Sequence, residues 1–183
     1  MRKLICMTLL TTALVLAVSV EAGTAGSVVL GDSLGVGVAA ASGLKSLARI
    51  SVHIRGPKAI QQINRVPPGS TAYLVLGTND AVGAVRGLER SIDNIVRAAD
   101  QRNIKLVWIG PPCVRKAWDR NSIELDRILR ARLASTSVRY VGMRDEGTCS
   151  GKARAGDGVH MTMGGYGSMW QKARAGDASG TTP

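Results

Sequence analysis

The stretch Val28–Gly37 reads VVLGDSLGVG. Three apolar residues, a Gly-Asp-Ser break and a run of small and apolar residues describe a strand that ends at a tight turn and continues as a helix. Backbone amides converge at such a helix start. The same alternation recurs downstream, with strands expected at Ser27–Leu30, Ile50–Ile54, Ala72–Leu76, Lys105–Ile109 and Val138–Val141. Between the third and fourth, Val82, Val85, Leu88, Ile92, Ile95, Val96 and Ala99 recur at three- and four-residue intervals, the pattern of an amphipathic crossover helix. Ile123, Leu125, Ile128, Leu129 and Leu133 repeat it before the fifth strand, Ala59–Val66 offers a shorter helix, and a last helix is expected from Met163 to about Arg174. Strands alternating with helices imply a parallel sheet. The expected fold is therefore one α/β domain, a doubly wound, flavodoxin-like three-layer sandwich of about five parallel strands, with loops at the carboxyl ends of the strands free to build a site.

The chain has 183 residues, room for a single core. Arg2 and Lys3 precede an uncharged apolar run, Leu4 to Val20, that closes on Val20-Glu21-Ala22. This is the pattern of a cleavable secretory signal peptide over residues 1–22. A membrane-spanning helix is the competing reading, because the run stands near the lower limit of spanning length. Small residues at the exit, with no basic cluster after it, favour cleavage and hence a secreted or periplasmic protein. Cys6 lies too early in the run for lipid attachment. Residues 23–175 then form the folded domain, and 176–183, small and polar, a flexible tail. The repeated Lys-Ala-Arg-Ala-Gly-Asp at Lys152 and Lys172 is too short for a structural repeat.

The net charge is +11, and removing Arg2, Lys3 and Glu21 lowers it by one. The basic residues are scattered, Phe is absent, and Trp and Tyr number three each, so stacking platforms for single-stranded nucleic acid are lacking. The charge points instead to an anionic surface, such as acidic glycans or lipid headgroups, and not to nucleic acid. Cys113 and Cys149 are an even pair in an oxidising compartment, either a disulfide or two buried thiols. Two His and two mature Cys, widely separated, offer no metal-ligand spacing.

Four pieces could carry chemistry. Ser33 stands at the strand–helix turn, and Gly31-Asp32-Ser33-Leu34-Gly35 also satisfies the G-x-S-x-G nucleophile elbow of α/β-hydrolases. An elbow serine follows several strands, whereas Ser33 follows the first. Asp157-Gly158-Val159-His160 sets a carboxylate and an imidazole three residues apart, so both can serve one serine, the imidazole as base and the carboxylate as its orienting partner. His160 alone could equally be a structural histidine, and the other His, His53, falls inside the expected second strand. Tyr73–Asp80, YLVLGTND, brings Asn79 to the same sheet edge, either as an amide donor or as a helix cap. Gly56 follows the second strand, where a glycine admits a close backbone approach or simply makes a turn.

In order along the chain, Ser33, Gly56, Asn79 and His160 resemble the Ser, Gly, Asn and His blocks of the SGNH (GDSL-like) hydrolases. Gly31–Ser33 is similar to that family's G-D-S, Gly77–Asp80 to its G-x-N-D, and Asp157–His160 to its D-x-x-H, with Thr162, Gly165 and Tyr166 continuing the last block. Only Gly56 represents the second block. The resemblance spans the expected domain. It implies a serine esterase in which Ser33 is the nucleophile, His160 the base and Asp157 its partner. Ser33 N–H, Gly56 N–H and the Asn79 amide would hold the oxyanion, and a Cys113–Cys149 disulfide could anchor the Asp/His loop. It implies no cofactor, a small-molecule or glycan ester as substrate, and a monomer. Small acyl or O-acetyl groups lead as substrates. Thioester or lysophospholipid cleavage is the alternative chemistry, and a non-catalytic glycan-binding relative the alternative class.

Overall fold

In the computed structural model, residues 25–175 are described. The expected signal segment and the expected tail lie outside them. Five strands form one sheet: β1 (Ser27–Gly31), β2 (Lys45–Ser46), β3 (Thr71–Val75), β4 (Lys105–Ile109) and β5 (Arg139–Val141). Their order is β2-β1-β3-β4-β5 and every pairing is parallel, the flavodoxin-like arrangement expected from the sequence. Helix α1 (Ser33–Ser42) follows β1, α2 (Lys58–Ile63) precedes β3, α3 (Glu89–Asp100) joins β3 to β4, and α4 (Asp119–Leu133) joins β4 to β5. A short α5 (Glu146–Cys149) and the final α6 (Met163–Arg174) complete the domain.

The period-2 pattern of the strands sends alternate residues to opposite faces, and both faces are covered. Leu30, Leu74 and Trp108 are buried beneath α2, α3 and α4, while Val29, Tyr73, Val75 and Val107 are buried beneath α1 and α6. Tyr73 meets Trp170 of α6 edge-to-face at 4.8 Å between ring centroids. The two apolar layers leave the carboxyl ends of the strands as the edge on which loops can diverge.

Two expectations are corrected. Ile50–Ile54 is not a strand. The outer partner of β1 is Lys45–Ser46, and the pairing runs on only as Leu47 N–H to Val29 O at 2.8 Å and Arg49 N–H to Gly31 O at 3.0 Å. Beyond that the chain turns through Ser51, whose φ is +56°. Val52 and Ile54 are buried all the same, which explains why their alternation imitated a strand; their backbone is held by side chains rather than by a sheet neighbour. His53 is therefore in an irregular segment and exposed. The crossover helix also begins later than expected. Asp80–Val82 is a single 3-10 turn, residues 83–88 are irregular, and α3 starts at Glu89. Val82 is 59% exposed and Ile123 of α4 is 54% exposed, so neither belongs to the core face that periodicity gave it. Gly83 and Gly87 interrupt the first of these segments and raise the cost of helix there.

Candidate active site

The β1–α1 turn depends on Gly31. Its φ is +114°, and a Cβ there would lie 1.8 Å from the Val75 carbonyl oxygen, so a side chain has neither the conformation nor the space. Asp32 follows and closes the turn: its N–H donates to Val75 O at 3.0 Å, and one carboxylate oxygen accepts the Leu34 N–H at 2.9 Å as the N-cap of α1. Asp32 is wholly buried and its second carboxylate oxygen has no partner among the described residues. Burial pushes this carboxyl up to about 7, opposed by the amides of Leu34 and Gly35. Ser33 is thus presented, half-buried, at the first turn of a helix. There its own N–H has no intrahelical acceptor.

The opposite wall is the loop from Arg154 to Met161. Ala155 N–H donates to His160 O at 2.8 Å and Thr162 N–H to Ala153 O at 2.9 Å, giving the loop a hairpin-like base. Arg154, buried, donates to Val159 O at 3.0 Å and Thr148 O at 3.2 Å. On the outer side, Arg115 N–H donates to Gly158 O at 2.7 Å and its guanidinium to Ala155 O at 2.8 Å. Cys113 and Cys149 are disulfide-bonded, with Cα atoms 5.2 Å apart. The bond ties the chain after β4 to α5. Beside it the Arg144 guanidinium meets both oxygens of Asp119 at 3.0 and 2.8 Å.

This scaffold joins three of the expected residues. His160 Nε2 lies 3.0 Å from Ser33 Oγ, and His160 Nδ1 lies 2.5 Å from Asp157 Oδ2. Asp157 also accepts the N–H groups of Val159 and His160, each at 2.9 Å. The hydrogen bond with His160, and then the Val159 amide, hold its carboxyl far below the usual range. An ionised Asp157 on Nδ1 favours the tautomer with its proton there. Nε2 is then free to accept the Ser33 hydroxyl proton. The side chains of His160 and Asp157 are 42% and 50% exposed, so the relay stands at an open surface.

The other two expected residues are placed less directly. Asn79 donates one amide N–H to Val52 O at 3.0 Å, which leaves its second amide hydrogen available. Gly56 sits on an exposed turn with φ +94°, and its N–H has no partner among the described residues. Two further residues position these elements, of which sequence reasoning missed Gln62. Gln62 of α2, buried, accepts the Gly31 N–H at 2.7 Å and donates to Gly31 O at 3.0 Å, bracing the turn before Ser33 from below. Asp80, also buried, accepts the Ile54 N–H at 2.9 Å and fixes the segment leading to Gly56; burial raises its carboxyl. A polar residue at a core position of a short helix was the available signal for Gln62. For Asp80 the signal was its place in the turn after β3.

Compared with known proteins, residues 57–175 match a family described as "Protein of unknown function (DUF459)". The chain belongs to that family. The match begins after Ser33, so the serine of this DUF459 protein lies outside the matched segment. No curated protein sequence matches the chain. Solved structures do. A protein from Slackia heliotrinireducens described as an SGNH hydrolase is 15% identical with a TM-score of 0.64, over 84% of this chain and 98% of that one. A carbohydrate esterase family 3 protein from Talaromyces cellulolyticus is 12% identical with a TM-score of 0.66, over 85% and 97%. A catalytic mutant of Axe2, an acetylxylan esterase from Geobacillus stearothermophilus, is 13% identical with a TM-score of 0.64, over 82% and 94%. Catalytic mutants of that enzyme replace a Ser, a His or an Asp, the last two three positions apart. At these identities the likeness establishes the fold: this DUF459 protein has the SGNH hydrolase fold, as its sequence motifs led one to expect.

Proposed function

We propose that this protein is an exported serine esterase that hydrolyses small acyl esters, O-acetyl groups on glycans foremost. The observation that carries the reading is the unbroken relay from Asp157 through His160 to Ser33, with both ring nitrogens engaged. Ser33 Oγ attacks the ester carbonyl as His160 Nε2 takes its proton. The tetrahedral intermediate collapses, and the same proton goes to the departing alcohol, leaving an acyl-Ser33. Water, deprotonated by His160, then attacks that acyl group and releases the acid, and Ser33 regains its proton. Asp157 holds the imidazole and stabilises its charged form.

Ser33 N–H, the free amide hydrogen of Asn79 and the Gly56 N–H are the donors for the oxyanion, a role that their unused donor capacity among the described residues supports. Openness of the relay favours a polymer-borne ester over a long acyl chain, which needs an enclosed apolar tunnel. The carbohydrate-active neighbours support the same substrate class. Export is supported by the Cys113–Cys149 bond together with the apolar leader.

The test is hydrolysis of p-nitrophenyl acetate beside longer-chain p-nitrophenyl esters and acyl thioesters, by the intact protein and by Ser33→Ala. Acetate turnover that vanishes in the variant supports the reading. Preference for long chains or thioesters moves the assignment to the alternative acyl hydrolases, and wild type as inert as the variant on every ester leaves glycan binding without cleavage.

A further inference from the structure

From Ser33 to Asn79 the chain contains no Asp or Glu, yet it carries Lys45, Arg49, Arg55, Lys58 and Arg65. The two carboxylates that flank this span, Asp32 and Asp80, are turned into the interior and are 0% and 7% exposed. Arg55 is committed to the backbone carbonyls of Ala84, Arg86 and Gly87. The remaining four cations are exposed, and they gather along the β2 edge of the sheet.

Two adjoining grooves run there. One, of about 280 Å³, is lined by Arg49, Lys58, Gln61 and Arg65. The other, of about 320 Å³, is lined by Lys45, Arg65, Ser27 and Ser70. Arg65 belongs to both, and among the described residues no carboxylate lines either. The first groove is built on the segments that hold the Ser33 turn and Asn79. Its Gln62 brackets Gly31, two residues before Ser33; its Val52 carbonyl holds the Asn79 amide; and its Arg49 amide donates to Gly31 O at 3.0 Å. Among the described residues Lys58 reaches only the Ser51 carbonyl, at 3.4 Å, which leaves its charge without an anionic partner there.

Cations spaced along a shallow trough, rather than clustered at one point, match a linear polyanion. Neither groove is lined by an aromatic residue on which a nucleobase could stack. Along this edge Ile50 is the exposed large apolar side chain, too little for insertion into a lipid surface. We propose that the Arg49–Lys58–Arg65–Lys45 trough binds an anionic polysaccharide and leads its acyl esters to Ser33. This rests on the esterase reading for the reaction but not for the binding.

The experiment uses O-acetylated polygalacturonate and O-acetylated xylan as acidic and neutral substrates, at about 0.02 M and about 0.3 M salt, where screening differs strongly. The intact protein is compared with the triple variant Arg49→Gln, Lys58→Gln, Arg65→Gln. On the acidic polymer the variant should raise KM on the order of tenfold at low salt with kcat unchanged. High salt should erase the difference, and xylan and p-nitrophenyl acetate should not register it. An unchanged KM on the acidic polymer, or an equal rise on xylan, overturns the proposal. Binding is read separately, by retention of Ser33→Ala on unacetylated polygalacturonate. Retention that the triple substitution abolishes supports the trough even if no ester is cleaved, whereas absence of retention overturns it. Retention on anionic phospholipid vesicles but not on polygalacturonate overturns it in favour of a membrane surface.

Discussion

Asp32→Asn separates the structural role of the buried carboxyl behind Ser33 from its charge. Asparagine keeps an oxygen to accept the Leu34 N–H, so the N-cap survives and only ionisation is lost. In the folded protein burial moves the Asp32 carboxyl from its ordinary 3.8 up to about 7. Between those values the folded state holds a proton that the unfolded chain has released, so stability falls as pH rises through this window. A gap of about 3 units at 1.36 kcal/mol each amounts to about 4 kcal/mol, developed fully only above pH 7. Urea unfolding of both proteins at several pH values from 4 to 8 measures it. The stability of Asp32→Asn minus that of wild type should climb with pH by up to about 4 kcal/mol. Two stability curves that run parallel across that range would refute the reasoning, because the buried group would then not be exchanging a proton.

Asn79→Ala should lower kcat on p-nitrophenyl acetate by about a hundred- to a thousandfold, the usual loss of one oxyanion donor, while the lost bond to Val52 lowers the melting temperature by only about a few degrees. Full activity in that variant would leave Asn79 only its bond to Val52. Gly31→Ala forces a methyl group into the Val75 carbonyl and should abolish soluble, cooperatively folding protein, as read by circular dichroism. Replacing Cys113 and Cys149 together by Ser opens a loop with a sequence separation of 36 and should lower stability by up to about 4 kcal/mol in denaturant titrations. Turnover should fall with it at temperatures where the loop from Arg154 to Met161 loosens.

Strands with two buried faces were legible because Val, Ile and Leu runs such as Lys105–Ile109 end sharply at Gly or Pro. The meeting of Ser33 with Asp157 and His160 was legible for a different reason, the resemblance of their short motifs, taken together, to the G-D-S and D-x-x-H blocks of SGNH hydrolases. Ile50–Ile54 misled because burial in alternation is the sign of a strand whatever holds the backbone, and here Asp80 and Asn79 hold it across the fold. Such long-range side-chain anchors leave no local pattern. Gln62 was overlooked for the same reason, since its partner Gly31 is 31 residues away. The late start of α3 reflects Gly83 and Gly87 outweighing an apolar periodicity that Val82 and Val85 continued in sequence but not in space.

An activated Ser33 nucleophile should react with a fluorophosphonate, a probe that requires no choice of substrate. After incubation of the folded protein and proteolysis, mass spectrometry should find one adduct on the peptide containing Ser33, and His160→Ala should slow its formation sharply. An unlabelled Ser33 in correctly folded protein, or labelling indifferent to the loss of His160, would mean that His160 does not activate Ser33.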